Sequence, residues 1–413
     1  MNLGVKRRVR VTRYQRTDRC RSCGFCSLEA VCPSPESCIG CGLCFVACPY
    51  EAVEPVEAYV DRWVEILVDG ERVEVPEGVT LKRALEELGW RFSRHPSEEG
   101  WPLPCGTGGC YACAVLVDGK LQPACYTPVR SGMDVRTNVE EVPPLRRISG
   151  YQPHPVGGVG TPWEVKAGRL GYIEAACFAH GCNLRCPQCQ NYGVTYGTAE
   201  PPTTPQRAAR RLTRVARAFG VRRLAISGGE PTLNRRWLIA FFRELRRLNP
   251  DAHLHLDTNA TYLTPDYIDE LVEAGVTDVG PDLKGCSVET FMRITGIRDR
   301  RLAQLYLRTA WESVRYMVDR YYPDRLFVGV GIPYNPRLIS LEEVREMGER
   351  LAELDADLQV TLLDYRPEFR ARYLRWPSFT DMMKAREQLL AAGLRKVVVQ
   401  TRQGQVGPNG RIR

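Results

Sequence analysis

Between residues 178 and 191 the chain reads FAHGCNLRCPQCQN, which places Cys182, Cys186 and Cys189 on one short loop. Three thiols at this spacing are too many for a redox dithiol and too few for a closed tetrahedral metal site. Thiolates are nucleophiles and metal ligands, so the loop points to a metal centre with one position left for a non-protein ligand. The other cysteines are grouped as tightly. The chain has 17 in 413 residues, an odd number, and runs of C-x2-C read as metal sites rather than disulfides.

Residues 20–53 read CRSCGFCSLEAVCPSPESCIGCGLCFVACPYEAV. The second half is Cys38-x2-Cys41-x2-Cys44-x3-Cys48-Pro49, the spacing of bacterial 4Fe-4S ferredoxins, whose fourth cysteine serves the other cluster. The first half is Cys20-x2-Cys23-x2-Cys26-x5-Cys32-Pro33, with a slightly longer last gap. The segment resembles two-cluster ferredoxins over its whole length. One 4Fe-4S cluster is expected on Cys20, Cys23, Cys26 and Cys48, the other on Cys38, Cys41, Cys44 and Cys32. Zinc accepts the same thiolates, but the doubled run with a proline after each fourth cysteine favours clusters.

A third group, PCGTGGCYACAVLVDGKLQPAC, carries Cys105-x4-Cys110-x2-Cys113 and then Cys125. This is plant-type 2Fe-2S spacing, with a shorter final gap, and Gly106, Gly108 and Gly109 let the loop wrap a cluster. Around it, VEILVDGERVEV (64–75) alternates about Asp69-Gly70, and a second hairpin is expected at Asp118-Gly119. TLKRALEEL (80–88) is a helix with Thr80 as N-cap. Residues 61–142 therefore resemble the β-grasp 2Fe-2S ferredoxin module.

From 171 onward strands and helices alternate, which means a parallel sheet of βα units with chemistry at the strands' C-terminal ends. Strands are expected at 172–178, 222–227, 253–257, 326–332, 358–363 and 396–400. The three-cysteine loop follows the first of them. With SGGEPT (227–232) after the second, DTNA (257–260) after the third and DLK (282–284) beyond, this region resembles the radical S-adenosylmethionine (SAM) superfamily. The resemblance implies a third 4Fe-4S cluster on Cys182, Cys186 and Cys189. SAM binds its open iron and is cleaved by one electron to methionine and a 5′-deoxyadenosyl radical that abstracts hydrogen.

Within the superfamily the motifs resemble pyruvate formate-lyase and other glycyl-radical-enzyme activating proteins. That implies Gly228, Gly229 and Glu230 at the SAM amino group, and Asp257, Thr258 and Asp282 around a small cation. It also implies Asn259 in the pocket, Lys284 on SAM, and Asn191 as the match to the asparagine of the family's CHN. Ala260 for glycine and Gln190 for histidine depart from the pattern. Cys177 is expected in the core and Cys286 near the pocket, and 363–373, with Tyr365, Arg366 and Arg370, is a candidate substrate-facing loop.

The expected fold is multidomain α/β. A 4Fe-4S ferredoxin-like domain (1–60) and a 2Fe-2S β-grasp domain (61–142) come first. A Pro/Gly-rich linker (143–170) then leads into a partial (β/α)6 TIM-like radical SAM barrel (171–413). The formal charge of +8 is modest, and the basic stretches at 6–16 and 207–217 read as a solvated tail and helix face, so nucleic acid is not an expected partner. No apolar run reaches membrane-span length and no signal-peptide pattern opens the chain, which makes the cytoplasm the expected location. The partners expected are an electron-donor protein and a glycyl-radical enzyme or other protein substrate. Small-molecule or RNA modification is the alternative chemistry, and an electron-transfer subunit the non-catalytic one.

Overall fold

The computed structural model describes residues 8–413. Residues 1–7, including the start of the basic stretch at 6–16 and of the expected first domain, lie outside the described residues. The chain forms two compact units, one of Met1–Arg147 with 180–183 and 192–204, the other of 148–179, 184–191 and 205–413.

In the first unit the strand Val9–Arg16 pairs antiparallel with Val53–Val60, and its alternation turns Val9 and Val11 inward. These two strands bracket the cysteine-rich segment, whose short helices start at Gly24 and Gly42, both left-handed. The next module is a five-stranded sheet in the order Glu71–Pro76, Trp63–Val68, Asp134–Arg136, Ala114–Val117, Lys120–Pro123. The helix Leu81–Glu87 packs on it through Leu81, Ala84 and Leu85, and the Thr80 hydroxyl accepts from Arg83 N at 3.2 Å. Asp69-Gly70 and Asp118-Gly119 take positive φ at all four residues, as two-residue hairpin turns require.

The second unit is an open, mostly parallel sheet with helices between its strands. Glu174–Ala179, Arg223–Gly228, His253–Thr258, Asp278–Pro281, Phe327–Tyr334, Gln359–Asp364 and Lys396–Thr401 pair in parallel in that order. Asp278–Pro281 is not among the six stretches read as strands, although DLK (282–284) is expected near the end of the strand after the third; at four residues, with Gly280 and Pro281 in it, its own pattern is too short to read. The expected linker is also corrected. Its residues 148–154 pair antiparallel with Glu174–Ala179, and a register shift between Ser149 and Gln152 breaks the alternation that would have revealed a strand.

The basic helix Pro205–Phe219 buries Ala208, Ala209, Leu212, Thr213 and Ala216 and leaves Arg207, Arg210, Arg211 and Arg214 exposed. That is a solvated helix face. Among the described residues no helix is long and apolar enough to cross a membrane.

Candidate functional site

The 2Fe-2S ligand set is the most enclosed. Cys105, Cys110, Cys113 and Cys125 are all buried, and Gly106, Gly108 and Tyr111 hold positive φ to turn the loop around them. Cys105 lies in contact with Cys110 and Cys125, and Cys125 with Cys113. Contact with Cys110 and Cys125 holds the Cys105 thiol well below its ordinary range, while Cys110 and Cys125 are pushed up. Thr107 N and Ala112 N point at Cys105 and Cys110 sulfur at 3.4 and 3.5 Å. Four buried thiols linked in a row of contacts, with amides aimed at two of them, fit a 2Fe-2S cluster.

Cys32, Cys38, Cys41 and Cys44 also fall together. Burial pushes the Cys44 thiol up to about 12, and its neighbours Cys41, Cys38 and Cys32 push in the same direction. This is the expected set for one 4Fe-4S cluster. In the other set, Cys23 is exposed, Cys26 sulfur lies 3.3 Å from an Arg16 nitrogen, and Cys48 sulfur accepts from Ala52 N at 3.3 Å.

In the second unit, Cys186 and Cys189 sit on a loop braced from two sides. Arg185 N donates to Thr295 O and Gln188 Nε2 to Ile294 O, both at 2.8 Å. A side chain at Gly296 would place its Cβ 2.4 Å from Arg185 O. Arg370 N and Ala371 N both donate to Pro187 O at 2.9 Å, so the candidate substrate-facing loop is anchored on the cysteine loop itself. Burial pushes the Cys186 thiol up to about 12, against the pull of the Lys284 ammonium. Cys182 belongs to the first unit, with its sulfur 3.9 Å from Asn183 Oδ1.

Gly228 is at φ 116°, and its Cβ would lie 2.5 Å from Ala179 N, so only glycine brings this loop to the end of the first parallel strand. Gly229 N donates to Ala179 O at 2.8 Å, and Asn191 Nδ2 donates to Gly228 O at 3.2 Å. Glu230 is fully buried. One carboxylate oxygen accepts from Thr232 N (3.0 Å), Thr232 Oγ1 (2.7 Å) and Thr258 Oγ1 (2.7 Å), the other from Asn259 N (2.6 Å). It clamps two strand ends together. Asn259 Oδ1 in turn accepts from Thr261 N and Oγ1. Ala260, where the family pattern has glycine, is at φ 60°.

The residues that the resemblance assigns to a small cation have these protein neighbours. Asp257 Oδ1 is 3.0 Å from His255 Nε2, Thr258 Oγ1 is engaged with Glu230, and Asp282 Oδ2 is 3.3 Å from Lys284 Nζ. Both carboxylates already face protein cations. Lys284 also donates to Tyr365 OH at 3.0 Å, and Tyr365, Asp282 and Cys186 keep its ammonium charged despite burial.

His255 itself gave no sequence signal. Its Nδ1 lies 3.2 Å from Glu174 Oε2, and His154 approaches the other Glu174 oxygen at 3.7 Å. Burial opposes its charge, but Asp257 and Glu174 outweigh it and raise His255 from 6.5 to about 10. Glu174, against its own burial, is lowered from 4.5 to about 2 by His154 and His255. The stabilisation from His255 is thus complete below about pH 6.5 and lost as pH rises through about 10; that from Glu174 is complete above 4.5 and lost toward 2. The melting temperature should therefore fall along an alkaline limb that His255→Gln flattens. Superimposable limbs would rule this network out as its cause.

Cys177 is fully buried core, as expected. Burial and the carboxylates of Glu343 and Glu346 push the Cys286 thiol up to about 12, and its main-chain N–H donates to Glu343 at 2.9 Å.

A braced cysteine loop after the first parallel strand, a glycine-tight GGE turn after the second and two ferredoxin-type thiol sets are what a radical SAM domain with attached iron–sulfur domains requires. Comparison with known families agrees. The chain carries a radical SAM superfamily domain over 177–344, a 2Fe-2S iron-sulfur cluster binding domain over 61–140 and a 4Fe-4S binding domain over 31–54. The last match stops short of Cys20, Cys23 and Cys26.

Among curated relatives, the chain is 31% identical over 224 residues to a probable GTP 3′,8-cyclase of Saccharolobus solfataricus, covering 53% of this chain and 65% of that one. It is 32% identical over 120 residues to the probable GTP 3′,8-cyclase of Thermoplasma volcanium (29% and 35%). It is 34% identical over 128 residues to the AdoMet-dependent heme synthase of Methanosarcina barkeri (30% and 35%). The chain thus spans between 35% and 65% of the length of these relatives.

Proposed function

We propose that this chain is a radical SAM enzyme that modifies an anionic small molecule, with its electrons supplied through the built-in iron–sulfur modules. When bound, the cluster of the Cys182 loop supplies the electron that cleaves SAM to methionine and a hydrogen-abstracting 5′-deoxyadenosyl radical. The protein's part is to hold and orient. Cys182, Cys186 and Cys189 provide three ligands and leave the fourth position open. Gly228 and Gly229 bring main chain close to where the SAM amino group is expected, and Glu230 acts there by fixing Thr258 and Asn259. Lys284 keeps a positive charge beside Cys186.

The observation that carries the substrate class is the loop after Gln359–Asp364, anchored on Pro187 of the cysteine loop. Residues 363–376 hold Arg366, Arg370, Arg372 and Arg375 against Asp364 and Glu368, and Asp364 is buried against Trp376 Nε1 at 2.8 Å. Arg375 pairs with Asp381 at 3.3 Å and Arg366 lies over the Trp376 ring, and a loop this rich in guanidinium groups suits phosphate or carboxylate groups. The relatives above are named for small-molecule chemistry, on GTP and in heme synthesis. This favours the small-molecule alternative over glycyl-radical-enzyme activation.

Anaerobic protein should bind about fourteen irons per chain, from three 4Fe-4S clusters and one 2Fe-2S. With dithionite it should form 5′-deoxyadenosine, faster when the right anionic substrate is added. A panel of nucleoside triphosphates and tetrapyrrole carboxylates tests the class. Zinc in place of iron after anaerobic reconstitution, or stimulation only by a protein that gains a glycyl radical, would overturn the proposal.

A further inference from the structure

Two close approaches within the first unit connect the cysteine sets. The first joins the Cys32–Cys44 set to the 105–125 set. Tyr126, which follows Cys125, donates its hydroxyl to the carbonyl of Val31, which precedes Cys32. Thr198 Oγ1 lies 3.3 Å from both that hydroxyl and Val31 O. The Tyr126 ring packs against Gly108, where a Cβ would be 2.8 Å from its Cγ. A groove of about 850 Å³ is lined by residues of both sets, Ile39, Gly40 and Cys41 together with Leu103, Gly106 and Cys125.

The second joins the 105–125 set to Cys182. Gly181, the residue before Cys182, is at φ 81°, and its Cβ would lie 2.9 Å from Cys110 N and 3.3 Å from Cys105 sulfur. Gly109 faces it so closely that a Cβ there would be 2.6 Å from Gly181 N. Neither residue has room for a side chain. The approach is stitched in place: Arg147 N donates to Gly109 O (3.3 Å), His180 N to Arg147 O (3.1 Å), and the buried Arg146 guanidinium to His180 O (3.2 Å). His180 Nδ1 is 2.7 Å from Gly197 O, which fixes the ring beside the same peptide.

Electron tunnelling decays steeply with distance and is carried better by covalent and hydrogen bonds than through space. We propose that these contacts fix the order of electron flow: in from the Cys32–Cys44 site, through the Cys105–Cys125 site by way of Tyr126, and on to the Cys182 loop by way of Gly181. The inference rests on the radical SAM activity proposed above. One electron enters from a low-potential one-electron carrier protein, which is oxidised by one. The same electron is consumed in breaking the sulfonium C–S bond of SAM, and no proton moves along the route.

The test uses the holoprotein, reduced by a low-potential flavodoxin and freeze-quenched for electron paramagnetic resonance, which separates the 2Fe-2S signal from the SAM-responsive 4Fe-4S signal. Tyr126→Leu is expected to slow reduction of both sites by an order of magnitude or more, with dithionite reduction at the wild-type rate. Gly181→Ala should slow only the SAM-responsive site. Because Gly181→Ala strains the loop, the pair Cys110→Ala with Cys125→Ala provides a second test. It should leave flavodoxin reduction of the Cys32–Cys44 site intact and slow that of the SAM-responsive site as strongly. Unchanged flavodoxin kinetics in Tyr126→Leu, or a SAM-responsive site reduced at the wild-type rate in the cysteine pair, would overturn the proposed order. If the electrons move in this order but no 5′-deoxyadenosine appears, the order stands and the proposed activity fails.

Discussion

Replacing Cys182, Cys186 and Cys189 together by alanine is expected to abolish 5′-deoxyadenosine formation and to remove about four irons per chain. The 2Fe-2S spectrum should survive, because Cys105, Cys110, Cys113 and Cys125 form their own buried set. The loop itself should keep its backbone, held as it is by Thr295 O, Ile294 O and the amides of Arg370 and Ala371. What is lost is the ligand set. With Cys186 pushed up to about 12, loading iron must expel a proton from a buried thiol, so uptake should also slow as pH falls. SAM cleavage that survives the triple replacement would make the loop structural and remove the basis of the proposed activity.

Glu230→Ala should have the largest effect on stability. The carboxylate is fully buried and accepts from two main-chain amides and two threonine hydroxyls. Alanine leaves those donors facing a cavity, at a cost of about 3 kcal/mol or more. For a unit of this size that lowers the melting temperature by roughly 10 °C. SAM affinity should fall with it, since Thr258 and Asn259 lose their clamp, and Glu230→Gln should recover part of both. Normal melting with SAM affinity lost would mean that Glu230 acts directly on the ligand and not through the strand ends.

The cysteine groupings were legible because their spacing is local: thiols with two or three residues between them on one loop lie near one another. The β-grasp hairpins were legible for the same reason, since an Asp-Gly pair states its own turn. The long-range partners were not. Nothing in HGC announces that Gly181 meets Gly109, and GGE reads as a ligand loop without showing that Glu230 reaches across to Asn259. Asp257 has a family role by resemblance, and the structure also sets it 3.0 Å from His255, a neighbour two residues away that no motif marks. The strand at 148–154 was hidden by its own bulge, and Pro153 and Gly150 made it look like a connector.

The strand at 148–154 runs on into GGVG (157–160), which lies across the sheet where there is no space to spare. A Cβ at Gly158 would fall 2.5 Å from Asp257 Oδ2, and one at Gly160 would fall 2.6 Å from Gly280 N. Gly280 and Gly329 yield from the sheet's side, each leaving room for this segment's main chain. Trp163 N and Thr161 O then bond both ends of the Gln359 amide, at 2.8 and 2.9 Å. For recombination this matters more than any composition shift. A gene fusion that joined ferredoxin modules to a barrel beginning at 171 would deliver a barrel with a slot in its interior. A truncation that keeps this unit's packing whole therefore begins upstream of residue 148, not at 171.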